Sequence, residues 1–268
     1  MTQLLIRCSN DHEKLKLESI LIVWRKQKFA IGKLLHRALA VGSPILLNYH
    51  RLLHGSTMAN EERRQHNELQ TRYFDERAEL FEQKVPGDIQ QRTAYIVTTA
   101  GVNAQSTILD VGSGTGVLIG HFLAAGAKQE NIVACDLSQR MLALASIHYH
   151  KVHFWLGDVM EFSFDSVDSN FPPHVKAFDH IFFNACFGNM LDQVAVLRHS
   201  RTLLSQQGKI VISHPLPKFV QSLHATEPEI VPNLLPSAQW CGEKAKELGL
   251  TVEHFESSNQ LYLAILAR

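Results

Sequence analysis

Two kinds of hydrophobic pattern alternate along this chain. Short continuous apolar runs predict buried strands, and segments whose apolar residues recur three and four positions apart predict amphipathic helices. Strands that alternate with helices in this way form a mostly parallel sheet with helices on both faces. The pattern therefore predicts an α/β fold, with strands at 108–111, 131–136, 152–158, 178–184, 209–213, 251–256 and 260–267.

Helices are predicted between these strands and before the first one. Residues 61–83 carry a pattern typical of an amphipathic helix or helix pair, and Asp88 is expected to cap a helix that runs to about residue 100. Further helices are predicted at 115–125, 190–204 and from the caps Ser138 and Ser237, with a turn at 205–208. The proline-rich segment 216–236 is predicted to be a lid or binding loop.

A glycine-rich turn follows the strand that ends at Asp110 and Val111. Glycine allows a positive φ and a close approach of the backbone to a ligand, and a helix N-terminus then faces that ligand. A turn of this kind without a ligand is the plainer alternative. The sequence predicts a nucleotide-type binding loop built from Asp110, Gly112, Ser113, Gly114 and Gly116.

Polar residues end the next three strands as well. Asp136 lies about 20 residues beyond the last loop glycine, where a Rossmann-like unit places the carboxylate that binds the ribose hydroxyls. Asp158, with Val159 after it, and Asn184 end the third and fourth strands. Ligands bind at the carboxyl ends of strands in an open α/β sheet, so these side chains are expected to converge on one site.

These motifs, taken in order, resemble the class I S-adenosylmethionine-dependent methyltransferases. The resemblance covers residues 70–268 and rests on the 110–116 loop, the acid at Asp136, the Gly157–Asp158 pair, Asn184 and the strand that starts at Gly208. It implies a Rossmann-like seven-stranded, mostly parallel sheet whose last strand is antiparallel, a helical N-terminal cap, and S-adenosylmethionine as the cofactor. The overall pattern is most similar to the ubiquinone and menaquinone ring methyltransferases.

The same resemblance assigns residues to the donor. It places Leu137 against the adenine ring and makes Asp158 the acceptor of the adenine amine. The loop reads G-x-G-x-G, with Val117 where the dinucleotide fingerprint has its third glycine, and this favours S-adenosylmethionine over NAD.

On the acceptor side, the family places the methyl acceptor next to the segment 184–189. Amino-methylating DNA and glutamine methyltransferases have two prolines and an aromatic residue there, and this chain has no prolines in that segment. A small-molecule acceptor, methylated on oxygen or carbon, is therefore favoured. Phe187 is expected either to line the acceptor pocket or to belong to the core, and Asn189 is a further candidate for binding the acceptor.

Three other residues are candidates for the acceptor site. Tyr73 belongs to a Tyr-Phe-Asp element that resembles part of the family's cap, and an aromatic stripe packed on the sheet is its alternative role. His224 lies in the proline-rich segment. His214 ends the fifth strand, where a near-neutral pKa would suit a general base, and a histidine bonded to a loop is the alternative.

Charge is balanced overall but not along the chain. Of the 26 basic and 26 acidic residues, 9 and 3 lie in residues 1–57, which leaves 17 and 23 in residues 58–268. A nucleic acid substrate needs a basic face, so the acidic balance of 58–268 argues against nucleic acid.

The four cysteines are far apart and predict neither a zinc site nor a disulfide framework. The histidines His148, His150 and His153 are expected to diverge, and no metal site is predicted.

The first 57 residues are predicted to be a poorly ordered or removable extension, and residues 58–268 to be the methyltransferase domain. The apolar runs of the extension fall short of the roughly 20 residues that a membrane span requires, so no stable membrane insertion is expected. A cytoplasmic location is expected, or an organelle matrix or stroma if the extension is a transit peptide.

The sequence thus favours a methyltransferase that uses S-adenosylmethionine on a small-molecule acceptor, and it leaves the oligomeric state open. Two alternatives remain. One is an NAD-dependent oxidoreductase. Asp136 is compatible with NAD binding, but the absence of the third glycine argues against it. The other is a non-catalytic protein that binds S-adenosylmethionine on the same fold, because a fold does not fix a function.

Overall fold

A computed structural model describes the backbone of residues 44–82, 86–165, 167 and 170–268, and side chains from Asn60 onwards within these ranges. Most of the predicted extension lies outside the described residues. The first described helix, α1, spans Pro44–Asp75, so the predicted boundary between residues 57 and 58 falls inside a helix. Contacts divide the chain into two units at Glu62, and the second unit, Arg63–Arg268, contains the whole sheet.

The sheet has seven strands in the order β3-β2-β1-β4-β5-β7-β6. The neighbours from β3 to β5 are parallel, and β7 is antiparallel to both β5 and β6. This is the predicted Rossmann-like arrangement. The strands are β1 Ile108–Val111, β2 Ile132–Asp136, β3 His153–Leu156, β4 Phe178–Asn184, β5 Leu204–His214, β6 Thr251–Ser257 and β7 Tyr262–Ala267.

Helices precede and connect the strands of this sheet. Short 3-10 turns at Val159–Glu161 and Phe187–Asn189 follow β3 and β4. After α1 the α-helices are α2 Ala78–Phe81, α3 Gly87–Ala100, α4 Ile119–Ala124, α5 Gln139–His148, α6 Gln193–Leu203, α7 Pro217–Thr226 and α8 Ala238–Glu247.

Apolar side chains fill both faces of the sheet, which is why its central strands are continuous hydrophobic runs. Along β1, Leu109 and Val111 belong to one buried cluster and Ile108 belongs to the cluster on the opposite face. The side chain of Asp110 points to the same face of the sheet as Ile108, and Asp110 is only 2% exposed. The central strand therefore places a carboxyl group in an apolar environment.

Several predicted boundaries are corrected. Pro86 rather than Asp88 precedes α3, and Asp88 forms an ion pair with Arg92 one turn along the same helix. The helix after the glycine loop begins at Ile119 instead of residue 115. The predicted turn at 205–208 lies within β5, and the predicted loop 216–236 contains the helix α7. The caps at Ser138 and Ser237 are confirmed, because their hydroxyls accept the N–H groups of residues 141 and 240.

Neither a membrane span nor a metal cluster is found in the described part of the chain. None of its helices is both long enough and apolar enough to cross a bilayer. Nor does it contain three or more His, Cys, Asp or Glu residues grouped so that they could hold a metal ion.

Candidate functional site

The glycine loop between β1 and α4 adopts a backbone that side chains would disfavour. Gly112 has a φ of 63° and Gly114 a φ of 54°. A Cβ at Gly112 would lie 2.7 Å from the Cβ of Cys186, a separation that real Cβ atoms do not reach. The loop can therefore keep this path only with glycine at 112, since both its conformation and its packing exclude a side chain.

The carboxylate of Asp136 holds this loop from the neighbouring strand end. The Gly114 N–H donates to Oδ2 at 2.8 Å, and the Ser138 N–H donates to Oδ1 at 2.8 Å. Burial raises the pKa of Asp136, and these hydrogen bonds oppose that shift. Each oxygen keeps a lone pair after accepting one backbone donor, so the carboxylate can still accept hydroxyl groups of a ligand.

Two buried polar atoms beside the loop have no hydrogen-bond partner among the described residues. They are Oδ2 of Asp110 and Oγ of Ser113. Burial, and then the charge of Asp136, raise the pKa of Asp110 to about 8. Buried polar groups are normally paired, so two unpaired ones at a glycine loop are where the polar atoms of a ligand belong.

Asp158 lies at the end of the third strand and is held by α1. Asn67 Nδ2 donates to Asp158 Oδ2 at 2.7 Å, and Arg63 Nε lies 3.4 Å from the same oxygen. The other oxygen accepts the N–H of Met160 at 2.9 Å. Val159 is buried, which anchors the turn that carries Asp158. The predicted helical cap therefore contacts a predicted donor-binding residue directly.

The same helix also reaches the N-terminus of α5, beside Asp136. Ser138 Oγ donates to Asp75 Oδ1 at 2.5 Å, and the Arg140 N–H donates to the same oxygen at 3.3 Å. Leu137 follows Asp136 directly and is partly exposed, and its contact with the adenine ring stays a prediction.

Asn184 ends β4 next to the end of β5. Its Oδ1 accepts the Ser213 hydroxyl at 2.9 Å. Ala185 follows with a φ of 59°, which is uncommon for a residue other than glycine. The next residue, Cys186, donates its thiol to the carbonyl of Val111 at 3.0 Å. The chain thus turns sharply after β4 and packs against the glycine loop.

The candidate acceptor residues lie on both sides of this turn. Phe187 is fully buried and packs edge-on against Phe183, so it belongs to the core, one of the two roles that the sequence left open. Asn189 Nδ2 donates to Gln70 Oε1 at 3.2 Å and to the Ile230 carbonyl at 3.1 Å. Asn189 therefore joins α1 to the segment after α7.

Tyr73 and His224 lie at this same junction. Tyr73 packs against the small buried cluster of Val220, Ile230 and Val231. Burial and the neighbouring Glu227 raise its pKa. His224 Nδ1 lies 2.8 Å from the carbonyl of Val231, within hydrogen-bond distance. Both side chains help to hold α7 and the chain after it.

The surroundings of His214 do not suit the general-base role that was predicted for it. Burial lowers its pKa to about 4, well below the near-neutral range expected of a general base. Its Nδ1 accepts the Leu216 N–H at 2.9 Å, so the ring's remaining proton lies on Nε2. In this tautomer His214 can donate a hydrogen bond but cannot readily take a proton. The structure supports the alternative role, a histidine that holds the loop after β5.

Sequence reasoning missed several residues that shape the site. Asn67 and Gln70 are polar residues of an amphipathic helix, and the helical period does not tell which polar side chains turn toward a neighbouring element. Cys186 was within the predicted acceptor segment but was not assigned a role. The glycine at position 112 indicates that some residue packs closely against the loop, but the sequence does not tell that this residue is Cys186.

Comparisons with known proteins agree with this arrangement. Residues 109–210, from β1 into β5, match the family model of a methyltransferase domain. A search of curated proteins found no match.

Solved structures share the fold at low sequence identity. Magnesium protoporphyrin IX methyltransferase from Synechocystis PCC 6803 with bound SAH is 15% identical, with 74% of this chain and 97% of that chain covered and a TM-score of 0.52. The DhpI–SAH complex is 20% identical, with coverages of 75% and 96% and a TM-score of 0.56. An S-adenosylmethionine-dependent methyltransferase from Mesorhizobium loti is 14% identical, with coverages of 65% and 96% and a TM-score of 0.52.

Proposed function

We propose that this chain, which is a class I S-adenosylmethionine-dependent methyltransferase with S-adenosylmethionine as its cofactor, methylates a small-molecule acceptor on oxygen or carbon. The observation that carries the proposal is the cover over the strand ends. Side chains of α1 bind Asp158 on one side and Asn189 with the Ile230 carbonyl on the other. A helix held across the strand ends by such contacts suits a small-molecule acceptor better than a macromolecule.

The residues at the strand ends fit the donor. We assign the ribose hydroxyls to Asp136, the adenine amine to Asp158, and the donor's ammonium group to the unpaired oxygen of Asp110. Bound S-adenosylmethionine supplies a methyl group on a positively charged sulfur, which leaves as a neutral thioether. The main task of the protein is therefore to hold donor and acceptor in line and to exclude water.

Features of the chain support the choice of acceptor. The segment after Asn184 lacks the paired prolines of amino-methylating enzymes. Burial lowers the pKa of His214 to about 4, below the near-neutral range of a general base, and this favours an acceptor atom that loses its proton easily. An acidic hydroxyl, a carboxyl group or an acidic carbon meets this requirement. Within the class, we place the chain nearest to the ubiquinone and menaquinone ring methyltransferases on its sequence pattern.

The test is incubation of the full chain with methyl-labelled S-adenosylmethionine and a metabolite extract, followed by identification of the labelled product. A labelled small molecule supports the proposal. Label on protein or nucleic acid in a parallel incubation with these macromolecules, and on no small molecule, contradicts it. Turnover without added acceptor is measured in parallel. Binding of S-adenosylhomocysteine (SAH) without transfer to any acceptor favours the non-catalytic alternative, and binding of NAD instead of SAH favours the oxidoreductase.

Asp136 provides the matching donor-site prediction. Asp136→Ala is expected to weaken SAH binding by about 1–3 kcal/mol, because a charge-assisted hydrogen bond to the ribose is lost. The variant also loses the acceptor of the Gly114 N–H, which loosens the loop. Isothermal titration measures the effect. Affinity equal to that of the wild type would remove Asp136 from the donor site.

A further inference from the structure

The part of α1 from Arg63 to Asp75 carries two neighbouring rows of inward polar side chains. Arg63 and Asn67, four residues apart, meet Asp158. His66 and Gln70, also four apart, meet the Asn189 carbonyl and the Ile230 carbonyl, at 2.7 and 2.6 Å. Residues four apart lie on one side of a helix, so the first row faces Asp158 and the second faces Asn189 and Ile230.

The second row reaches a segment that does not belong to the predicted donor site. Residues 227–233 after α7 are held by the Asn233 N–H, which donates to the Gly188 carbonyl at 3.1 Å, and by Asn233 Nδ2, which donates to the Met190 carbonyl at 2.8 Å. Gln70 is 3% exposed, and both ends of its amide are used. We call residues 227–233 the acceptor cover.

We propose that Asn67 is a positioning residue that links occupancy of the donor site to the placement of the acceptor cover. Asn67 contacts the predicted adenine-binding carboxylate, and Gln70, one turn along the same helix, donates to the Ile230 carbonyl of the cover. A ligand that orders Asp158 then orders α1 through Asn67, and α1 orders the cover. The inference rests on the proposed function, because it requires that Asp158 contacts the donor.

Other contacts of α1 set the limits of this link. Asp75 accepts the Ser138 hydroxyl, and Arg140 pairs with Glu79 of α2, so the end of the helix is fixed near the donor site independently of Asn67. Loss of Asn67 should therefore loosen the cover without detaching the helix. Two sites coupled through a shared element show a measurable mutual effect when the element itself has more than one arrangement.

The experiment is amide hydrogen exchange of the full chain with and without saturating SAH. In the wild type, SAH should slow exchange of the Asn233 amide about fivefold or more, although SAH is not expected to touch it. In Asn67→Ala, SAH should still bind, with about tenfold lower affinity, and the slowing at Asn233 should fall by about half or more, the remainder being carried by the Arg63–Asp158 contact. Exchange at the glycine loop should be slowed by SAH in both proteins.

Glu68→Ala is the matched control, because Glu68 lies on the same helix, is 59% exposed at its side chain and forms an ion pair with Arg64 one turn before it. It should behave as the wild type does. Asn67→Asp keeps the side chain's shape but places a second carboxylate against Asp158, and it replaces Asn67→Ala if that variant does not give a cooperative thermal transition.

The outcomes separate this inference from the proposed function. If SAH does not bind the wild type, the proposed donor site is wrong, and so is the coupling between that site and the acceptor cover. If SAH binds and protects only the glycine loop, or if Asn67→Ala and Asn67→Asp keep the full slowing at Asn233, the donor site stands and the positioning role of Asn67 is overturned.

Discussion

In the chain without bound donor, the environment of the Asp110 carboxyl group favours its protonated form at neutral pH. Its pKa of about 8 in the folded chain lies above the ordinary value of 3.8, because of burial and the charge of Asp136. Between these two values the folded chain binds a proton that the unfolded chain has released. This group therefore contributes stability at low pH that is lost as the pH rises through about 8.

We predict that this loss is measurable. From pH 5 to pH 8 the free energy of unfolding of the wild type should fall relative to that of Asp110→Asn, by at most about 1.4 kcal/mol per pH unit. Urea unfolding of both proteins at several pH values gives the difference, and titrations elsewhere in the chain cancel in it. A difference that does not change with pH would mean that Asp110 is already ionised.

The contacts of His214 lead to a kinetic prediction. Because Nδ1 accepts the Leu216 N–H and the pKa is about 4, His214→Ala should raise the KM for the acceptor and leave kcat largely unchanged. Initial rates at saturating SAM, from mildly acidic to mildly alkaline pH, measure both constants. A fall in kcat of about 10²–10⁴, with loss of a group that titrates near neutrality, would restore the general-base role.

At the scale of single residues, the sequence indicated those that belong to a recognisable motif. It missed those whose role depends on what the fold places next to them. The contact of Asp136 with the glycine loop was predictable because a strand, a glycine loop and an acid at a set distance form one known unit, and its role toward the donor stays a prediction. The low pKa of His214 was not, because the burial of a strand end depends on what the rest of the chain places over it. Asn67 was missed for the same reason.

At the scale of secondary-structure elements, the glycine loop can be tested by placing a side chain at Gly112. Gly112→Ala places a Cβ 2.7 Å from the Cβ of Cys186 at a φ of 63°. Strained backbone of this kind costs about 1–3 kcal/mol, and the clash adds to it, so the thermal midpoint should fall and SAH binding should weaken. Differential scanning calorimetry and SAH titration measure these effects.

Gly242→Ala is the control for this prediction, since it lies in α8 and a Cβ there meets nothing within 4 Å. It should be neutral or stabilise the fold by about 0.5–1 kcal/mol, because alanine has the higher helix propensity. The double variant Gly112→Ala with Cys186→Gly should recover part of the lost stability. If Gly112→Ala alone is as stable as the wild type, the loop has another path available.

Strands were predicted more accurately than the segments between them. β4 matches its predicted range at both ends, because a strand buried on both faces is a continuous apolar run. The stretch 205–208 was predicted as a turn on its glycine. In the structure a Cβ at Gly208 would lie 2.8 Å from the Phe178 carbonyl, so this glycine allows two strands to approach closely. Composition does not distinguish these two uses of glycine.

For the whole molecule, the extension remains a prediction. A chain that begins at Met58 should fold and bind SAH as the full chain does, because the α1 contacts with the donor and acceptor sides are made by residues from Arg63 onwards. Thermal unfolding and SAH titration of both chains test this. Loss of the cooperative transition in the shorter chain would show that residues 1–57 are part of the folded domain.

The position of β7 has a consequence for synthesis of the protein. β7 is the last strand in the sequence, yet it lies between β5 and β6, and its residues 263–266 have no exposed surface. While a ribosome is still making residues 262–267, β5 has an unpaired edge, and such edges recruit other strands. A chain truncated before Tyr262 should therefore aggregate instead of giving a shortened enzyme, and the fraction of the truncated chain that sediments after expression measures this.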